Sequence, residues 1–232
     1  MKIKIFCDSA DFKTLKKLNS NILVKGFTTN PSLMRMVGAK NYKIYSKKIL
    51  SVCNKKPVSL EVFADNFDKM FQQAISINSW GKNVYVKIPV VNSRGFFSGR
   101  VIKKLSDKGI KLNITAVYTT NQVTKIINSV NKKSKTIISI FAGRMSDAGK
   151  DPVPIIKESV KKTKKFKNIS ILWASTREAY NFLQAKECGC QIITMPPDVI
   201  NKISNFGKSY KDLTLDTVKK FLEDSKRSKF TI

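Results

Sequence analysis

The sequence predicts a (β/α)8 barrel, the TIM-barrel form of α/β protein, extended by one C-terminal helix. Two observations carry that expectation. Eight short apolar runs of strand character recur along the 232 residues, with amphipathic stretches between them. No Ser-, Gly- or Pro-rich linker divides the chain, and residues 1–232 suit a single barrel domain. The competing layout is an open doubly wound sheet, but no glycine-rich dinucleotide turn follows the first strand.

Side-chain parity assigns a face to each residue of a strand. In IKIFCD (3–8), Ile3, Ile5 and Cys7 point toward the helices, while Phe6 and Asp8 point to the barrel axis. In LVKGFTT (23–29), Val24, Gly26 and Thr28 share one parity, which Asn30 continues in the TTNP turn. PVSLEVF (57–63) sends Val58, Leu60 and Val62 outward and Ser59 and Glu61 inward. NVYVKIP (83–89) buries Val84, Val86 and Ile88 and turns Tyr85, Lys87 and Pro89 to the axis. KLNITAVY (111–118) turns in Asn113 and Thr115, and TIISIFAG (136–143) turns in Ser139 and Phe141. SILWAS (170–175) is read with Trp173 and Ser175 inward, and CQIITMP (190–196) is the eighth strand. Helical stretches are read at 41–53, 67–77, 99–109 and 119–130, with Gly81, Gly109 and Gly189 as stop signals. The last segment, LTLDTVKKFLEDSKR (213–227), carries a stripe of Leu213, Leu215, Val218, Phe221 and Leu222. That stripe needs a surface to pack on, either its own barrel or a neighbouring subunit.

Composition narrows the chemistry. Histidine is absent, which removes the commonest general base and metal ligand. Proton transfer then falls to carboxylates, lysines, tyrosines or water. Cys7, Cys53, Cys188 and Cys190 lack disulfide-framework or zinc-ribbon spacing and are read as reduced thiols. With no run of 18 apolar residues and no signal-peptide pattern, neither membrane insertion nor secretion is expected, and the cytoplasm is the expected compartment. The net charge of +28 invites a nucleic-acid reading. However, 38 of the 44 basic residues are lysines, spread over nearly every helical stretch without interleaved stacking aromatics. Weak attraction to polyanions is expected, and no specific nucleic-acid partner.

An Asp, a Glu and a Lys converging on one barrel mouth are costly to bury without a use, and barrel active sites sit at the carboxyl ends of the strands. A neutral lysine there attacks a ketone to form a Schiff base, whose protonated form accepts the electron pair of an adjacent carbon–carbon bond. Cleavage needs a base for the hydroxyl β to the imine, for which Asp8 and Glu61 are the candidates. Thr28, Asn30, Asn113 and Ser139 suit the orientation of a polyol. Arg144, Ser175 and Arg177, in the loops after strands six and seven, offer donors for a phosphate. Two of only six arginines fall there.

The blocks CDSA (7–10), GFTTNPSL (26–33), VSLEVF (58–63), VYVKIPV (84–90), LNITAVY (112–118), SIFAGR (139–144), WASTRE (173–178) and ITMPPDVI (193–200) together resemble the transaldolase family. That family includes small-subunit members and the related fructose-6-phosphate aldolases. The resemblance implies a class I aldolase barrel, with Lys87 as the Schiff-base lysine and Asp8 as acid and base at the cleaved bond. It implies that Glu61 and Thr115 hold a catalytic water and that Asn30, Asn113 and Ser139 bind the dihydroxyacetone portion. Arg144, Ser175 and Arg177 match the phosphate grip. Glu61 and Phe141, where the aldolases that release dihydroxyacetone resemble this chain but typically carry Gln and Tyr, favour transfer over simple cleavage. DSA stands where DTA is usual, and the loops GRMSDAGKDPVP and WASTRE differ from those of the best-known transaldolases.

The expected function is transfer of a dihydroxyacetone unit from a ketose phosphate, fructose 6-phosphate or sedoheptulose 7-phosphate, to an aldose phosphate. No metal or organic cofactor is expected. The expected assembly is a homo-oligomer, a pentamer or decamer, in which 213–227 reaches a neighbour. The enzyme alternative is a Schiff-base aldolase releasing free dihydroxyacetone. The alternative from another class is a basic polyanion-binding protein on an inactive barrel.

Overall fold

The computed structural model describes residues 3–53 and 55–228. They form two units, one ending at Ile200 and one beginning at Asn201.

The first unit is a closed barrel of eight parallel strands in sequence order. The strands are β1 (Lys4–Asp8), β2 (Val24–Thr28), β3 (Val58–Glu61), β4 (Val84–Pro89), β5 (Leu112–Val117), β6 (Thr136–Ile140), β7 (Ile169–Trp173) and β8 (Ile192–Met195). The helices between them are α1 (Phe12–Asn19), α2 (Pro31–Met36), α3 (Tyr42–Val52), α4 (Phe67–Asn78), α5 (Gly99–Asp107) and α6 (Thr120–Ser129). They continue with α7 (Ala142–Asp147), α8 (Val153–Thr163) and α9 (Asn181–Glu187). α10 (Pro197–Lys202) follows β8 and runs across the boundary between the units. The (β/α)8 fold is therefore as expected. The second unit carries α11 (Tyr210–Ser228), a little longer than the segment 213–227 expected to be helical. Among the described residues no helix is long and apolar enough to cross a membrane.

Local chemistry explains the helix starts. Asn30 and Asn41 cap α2 and α3 by accepting backbone N–H bonds from Leu33 and Ile44, and Thr119 with Gln122 closes a capping box on α6. The outward residues Val58, Leu60, Val84, Val86 and Ile88 are fully buried against the helices, as parity requires. Inside the barrel Phe6, Ile137, Leu172, Ala174 and Ile192 form an apolar plug, with Tyr85 and Phe141 packed on it. Gly26 makes room for this plug, since a Cβ there would lie 2.6 Å from the Phe6 ring.

Strand seven departs from the expected parity. Leu172 and Ala174 face the axis, and Trp173, completely buried, does not belong to the inner cluster. Ser175 has φ of +64°, so strict alternation fails at this residue and cannot be counted back through it to Trp173. A second departure concerns β6, which ends at Ile140. Residues 142–147 turn into α7, so Arg144 sits on a short helix and not in an open loop.

Candidate active site

A cavity of about 210 Å³ opens among the carboxyl ends of the strands. Lys87, Asp8, Thr28, Asn30, Asn113, Thr115, Ser139, Phe141, Arg144, Ser175 and Arg177 all line it. Of the site residues expected from sequence, Glu61 alone does not line the cavity, and it is tied to it through Lys87. Strand register explains the pair. Glu61 and Lys87 are direct neighbours across β3 and β4, and the Lys87 Nζ lies 3.0 Å from Glu61 Oε2. Lys87 is 7% exposed and donates a further hydrogen bond to the Thr29 carbonyl at 3.2 Å. The ammonium group thus reaches the inner face of the strand that the sequence pattern assigns to it, with a carboxylate to offset its burial.

Asp8 and Thr28 are likewise paired in register across β1 and β2, and the Thr28 hydroxyl donates to Asp8 Oδ1 at 2.7 Å. Burial raises the Asp8 carboxyl above its ordinary value, and neighbouring Glu61 adds to this. Lys87 and the Thr28 hydrogen bond oppose it. A buried carboxyl raised in this way, beside a lysine and a hydroxyl donor, has the chemistry of an acid–base group. The thiols are poor candidates for that work: burial pushes Cys53 up to about 12, and Cys7 and Cys190 are raised further.

The neutral polar residues have defined donor and acceptor directions. Ser139 donates to Asn113 Oδ1 at 2.7 Å, so its lone pairs remain for another donor. One Asn113 N–H bonds Ser59 Oγ at 3.0 Å, which leaves the second without a direct partner on Ser59. Asn30 spends its carbonyl oxygen on capping α2, so only its amide N–H groups are left to donate. The Thr115 hydroxyl is buried and has no hydrogen-bond partner among the described residues. A buried hydroxyl on a cavity wall is satisfied by whatever fills the cavity.

At the other end, the Arg144 guanidinium lies 5.7 Å from the Phe141 ring centroid, within cation–π range. Arg177 donates through Nε to both oxygens of Asp147 at 3.0 Å, and its Nη2 bonds Oδ2. These hydrogen bonds hold the Asp147 carboxyl below the usual carboxylate range. The fork of Arg177 is therefore fixed on one side, and its remaining N–H groups are available to an anion. α7 can come this close to the loop after β7 because residue 143 is glycine: a Cβ there would lie 1.6 Å from the Ser175 carbonyl oxygen.

Sequence reading missed several residues of this site. Thr176 and Thr194 line the cavity, and Thr194 Oγ1 is 2.5 Å from Thr28 Oγ1. Parity on β8 contained the signal for Thr194, since Ile192 is in the inner plug and Thr194 shares its face. Asp147 and Tyr42 were missed as well. Tyr42 accepts from the Glu61 N–H and donates to the Glu61 carbonyl, both at 2.9 Å, which fixes the end of β3. No spacing rule announces either contact.

The sequence matches the family described as transaldolase/fructose-6-phosphate aldolase over residues 5–232. The chain belongs to that family. A protein of Methanococcus maripaludis strain C5 described as a probable transaldolase is 32% identical over 223 residues, 96% of this chain and 97% of the relative. A probable transaldolase of Thermoplasma volcanium is 34% identical over 231 residues, with 97% and 96% covered. These relatives make the chain a member of an aldolase and transaldolase enzyme family. Among solved structures, dihydrodipicolinate synthase from Rhodopseudomonas palustris superimposes with a TM-score of 0.59 at 14% identity, covering 85% of this chain and 72% of that one. N-acetylneuraminate lyase from Mycoplasma synoviae gives 0.56 at 12%, covering 93% and 77%. At such identities the likeness is one of fold.

Proposed function

We propose that this chain is a transaldolase working through a Schiff base on Lys87. The observation that carries the reading is a buried lysine, 3.0 Å from the Glu61 carboxylate, sharing one small polar cavity with Asp8. Lys87 passes its ammonium proton to Glu61, 3.0 Å away, and attacks the ketose carbonyl carbon as the free amine; that proton returns as water is lost, which gives the protonated imine. Asp8 then takes the proton from the hydroxyl β to the imine carbon. The carbon–carbon bond breaks, an aldehyde leaves, and its electron pair stays as an enamine on Lys87. In the return direction the enamine attacks an acceptor aldose, Asp8 gives its proton to the new alkoxide, and water releases the product. Glu61 and the Thr115 hydroxyl are assigned to the water of imine formation and hydrolysis. Thr28, Asn30, Asn113 and Ser139 hold the three-carbon fragment, Phe141 closes the wall beside it, and Arg144, Ser175 and Arg177 grip a phosphate.

Intact-mass analysis and peptide mapping after fructose 6-phosphate and borohydride test this directly. A reduced dihydroxyacetone adduct is expected on Lys87. Lys87→Ala should abolish both the adduct and turnover while leaving the circular dichroism unchanged. Turnover surviving in that variant would sink the imine mechanism. Glu61 and Phe141 favour transfer over release of free dihydroxyacetone, so product should form only when an acceptor aldose is present. Steady product formation from the ketose phosphate alone would assign the aldolase activity instead.

We also propose that α11 packs on a second copy of this chain in a ring-based homo-oligomer. Its Leu213, Leu215, Val218, Phe221 and Leu222 are each more than 40% exposed, a continuous apolar stripe that water does not favour.

A further inference from the structure

We infer that Thr194 on β8 is a positioning residue that acts through Thr28 to hold the Asp8 carboxylate in its proton-accepting form. The inference rests on the reading of Asp8 as the acid–base group.

The three side chains form one buried chain of contacts. Thr194 is 6% exposed, its Oγ1 lies 2.5 Å from Thr28 Oγ1, and Thr28 Oγ1 lies 2.7 Å from Asp8 Oδ1. Counting hydrogens fixes the direction. An ionised carboxylate only accepts, and a hydroxyl has one hydrogen to give. The Thr28 hydrogen therefore goes to Asp8, and the hydrogen between the two threonines must belong to Thr194. Donation from Thr194 polarises the Thr28 hydroxyl and makes it the stronger donor. It also commits Asp8 Oδ1 to accepting. A proton arriving from the substrate then goes to the other oxygen, Oδ2, unless the whole chain of hydroxyls reverses.

The backbone holds Thr194 in place for this task. It pairs in register with Phe6 of β1, two residues before Asp8, and its carbonyl accepts the Thr176 hydroxyl at 2.7 Å. Charge reaches Asp8 from other directions, Lys87 on β4 and Glu61 on β3, while the adjacent Cys7 thiol, itself raised by burial and by Asp8, is neutral. Arg144 and Arg177 line the same cavity. From the flanking strands β2 and β8 come the Thr28 and Thr194 hydroxyls, so their control of the carboxylate is dipolar. Valine fills nearly the same space as threonine, and Thr194→Val isolates the hydroxyl.

The test is a carbon-13 titration of chain labelled at the aspartate carboxyls, with the Asp8 signal assigned from its absence in Asp8→Asn. Thr194→Val should raise the Asp8 midpoint by about 0.5–1 pH unit, the equivalent of one ordinary hydrogen bond. Thr194→Ser should return it to within about 0.2 units of the parent, a small fraction of that hydrogen-bond effect. In a Thr28→Val background the second substitution should add nothing, because the intermediary is gone. The acidic limb of the kcat/KM profile should move with the titration. A Thr194→Val chain that titrates with the parent or lower overturns the inference. So does a Thr194→Ser shift as large as that of valine, which would make the effect one of packing. Should Thr194→Val fail to fold, Thr194→Ala supplies the same comparison. The titration needs no turnover, so an unmodified Lys87 in the borohydride experiment would defeat the imine mechanism while this result still decided the role of Thr194.

Discussion

Burial raises the Asp8 carboxyl, with Lys87 and the Thr28 hydroxyl pulling the other way. In the folded chain this group therefore prefers to be protonated, relative to the unfolded chain. Stability is fully present below the ordinary aspartate value near 4 and falls as pH rises through the raised folded value. Ionising Asp8 thus weakens the fold, a cost that goes with the acid–base role proposed for it. Asp8→Asn should have a higher Tm than the parent at pH 7, the two converging as pH falls below about 4, and should lose turnover. Equal Tm values at pH 7 would contradict that account. The inward placement of Asp8, Glu61 and Lys87 was legible because alternation along a strand is a local property. The partners of these residues were less so. Thr194 could have been found by the same count, whereas the contact between Asp147 and Arg177 depends on where two separate segments come to rest.

The approach of α7 to the residues after β7 shapes the end of the cavity proposed to grip a phosphate. Gly143 lies against the Ser175 carbonyl, and Ser175 holds φ of +64°. Gly143→Ala cannot be accommodated without moving one segment off the other. Overpacking of this kind costs about 1–3 kcal/mol, which lowers Tm by roughly 2–12 °C for a chain of this size. The same displacement separates Arg144 from Ser175 and Arg177, so KM for phosphorylated ketoses should rise while that for dihydroxyacetone changes little. A thermal melt with parallel kinetics on both substrates checks this. An unaltered KM ratio would mean that the two segments do not act together. α7 escaped the sequence reading for a physical reason. It starts directly after a strand, and Phe141 at its N-cap position makes no capping hydrogen bond, so the usual start signal is missing.

On the scale of the molecule, eight alternating units announced the barrel, since strand count and crossover length limit the arrangements a chain can adopt. Assembly is a separate matter. If α11 seats its apolar stripe on another copy, Leu213→Asp with Phe221→Asp should reduce the sedimenting species to monomers. Burying two carboxylates in such a contact is strongly unfavourable. A parent protein that sediments as a monomer at micromolar concentration would refute the proposal. The net charge of +28 adds mutual repulsion that any such assembly has to overcome, so association should strengthen as salt screens it.

Asp8 lies near the start of the chain and Thr194 near its end, yet β8 closes the barrel directly against β1. During synthesis the carboxylate of β1 waits through six further strands before β8 brings its final neighbour. Until β8 docks, the barrel has an open seam, the cavity lacks one wall, and the hydroxyl chain to Asp8 has no beginning. The cavity and the completed fold therefore arrive together, and a nascent chain released before β8 would carry Lys87 and Asp8 without an enclosed place for the chemistry proposed for them.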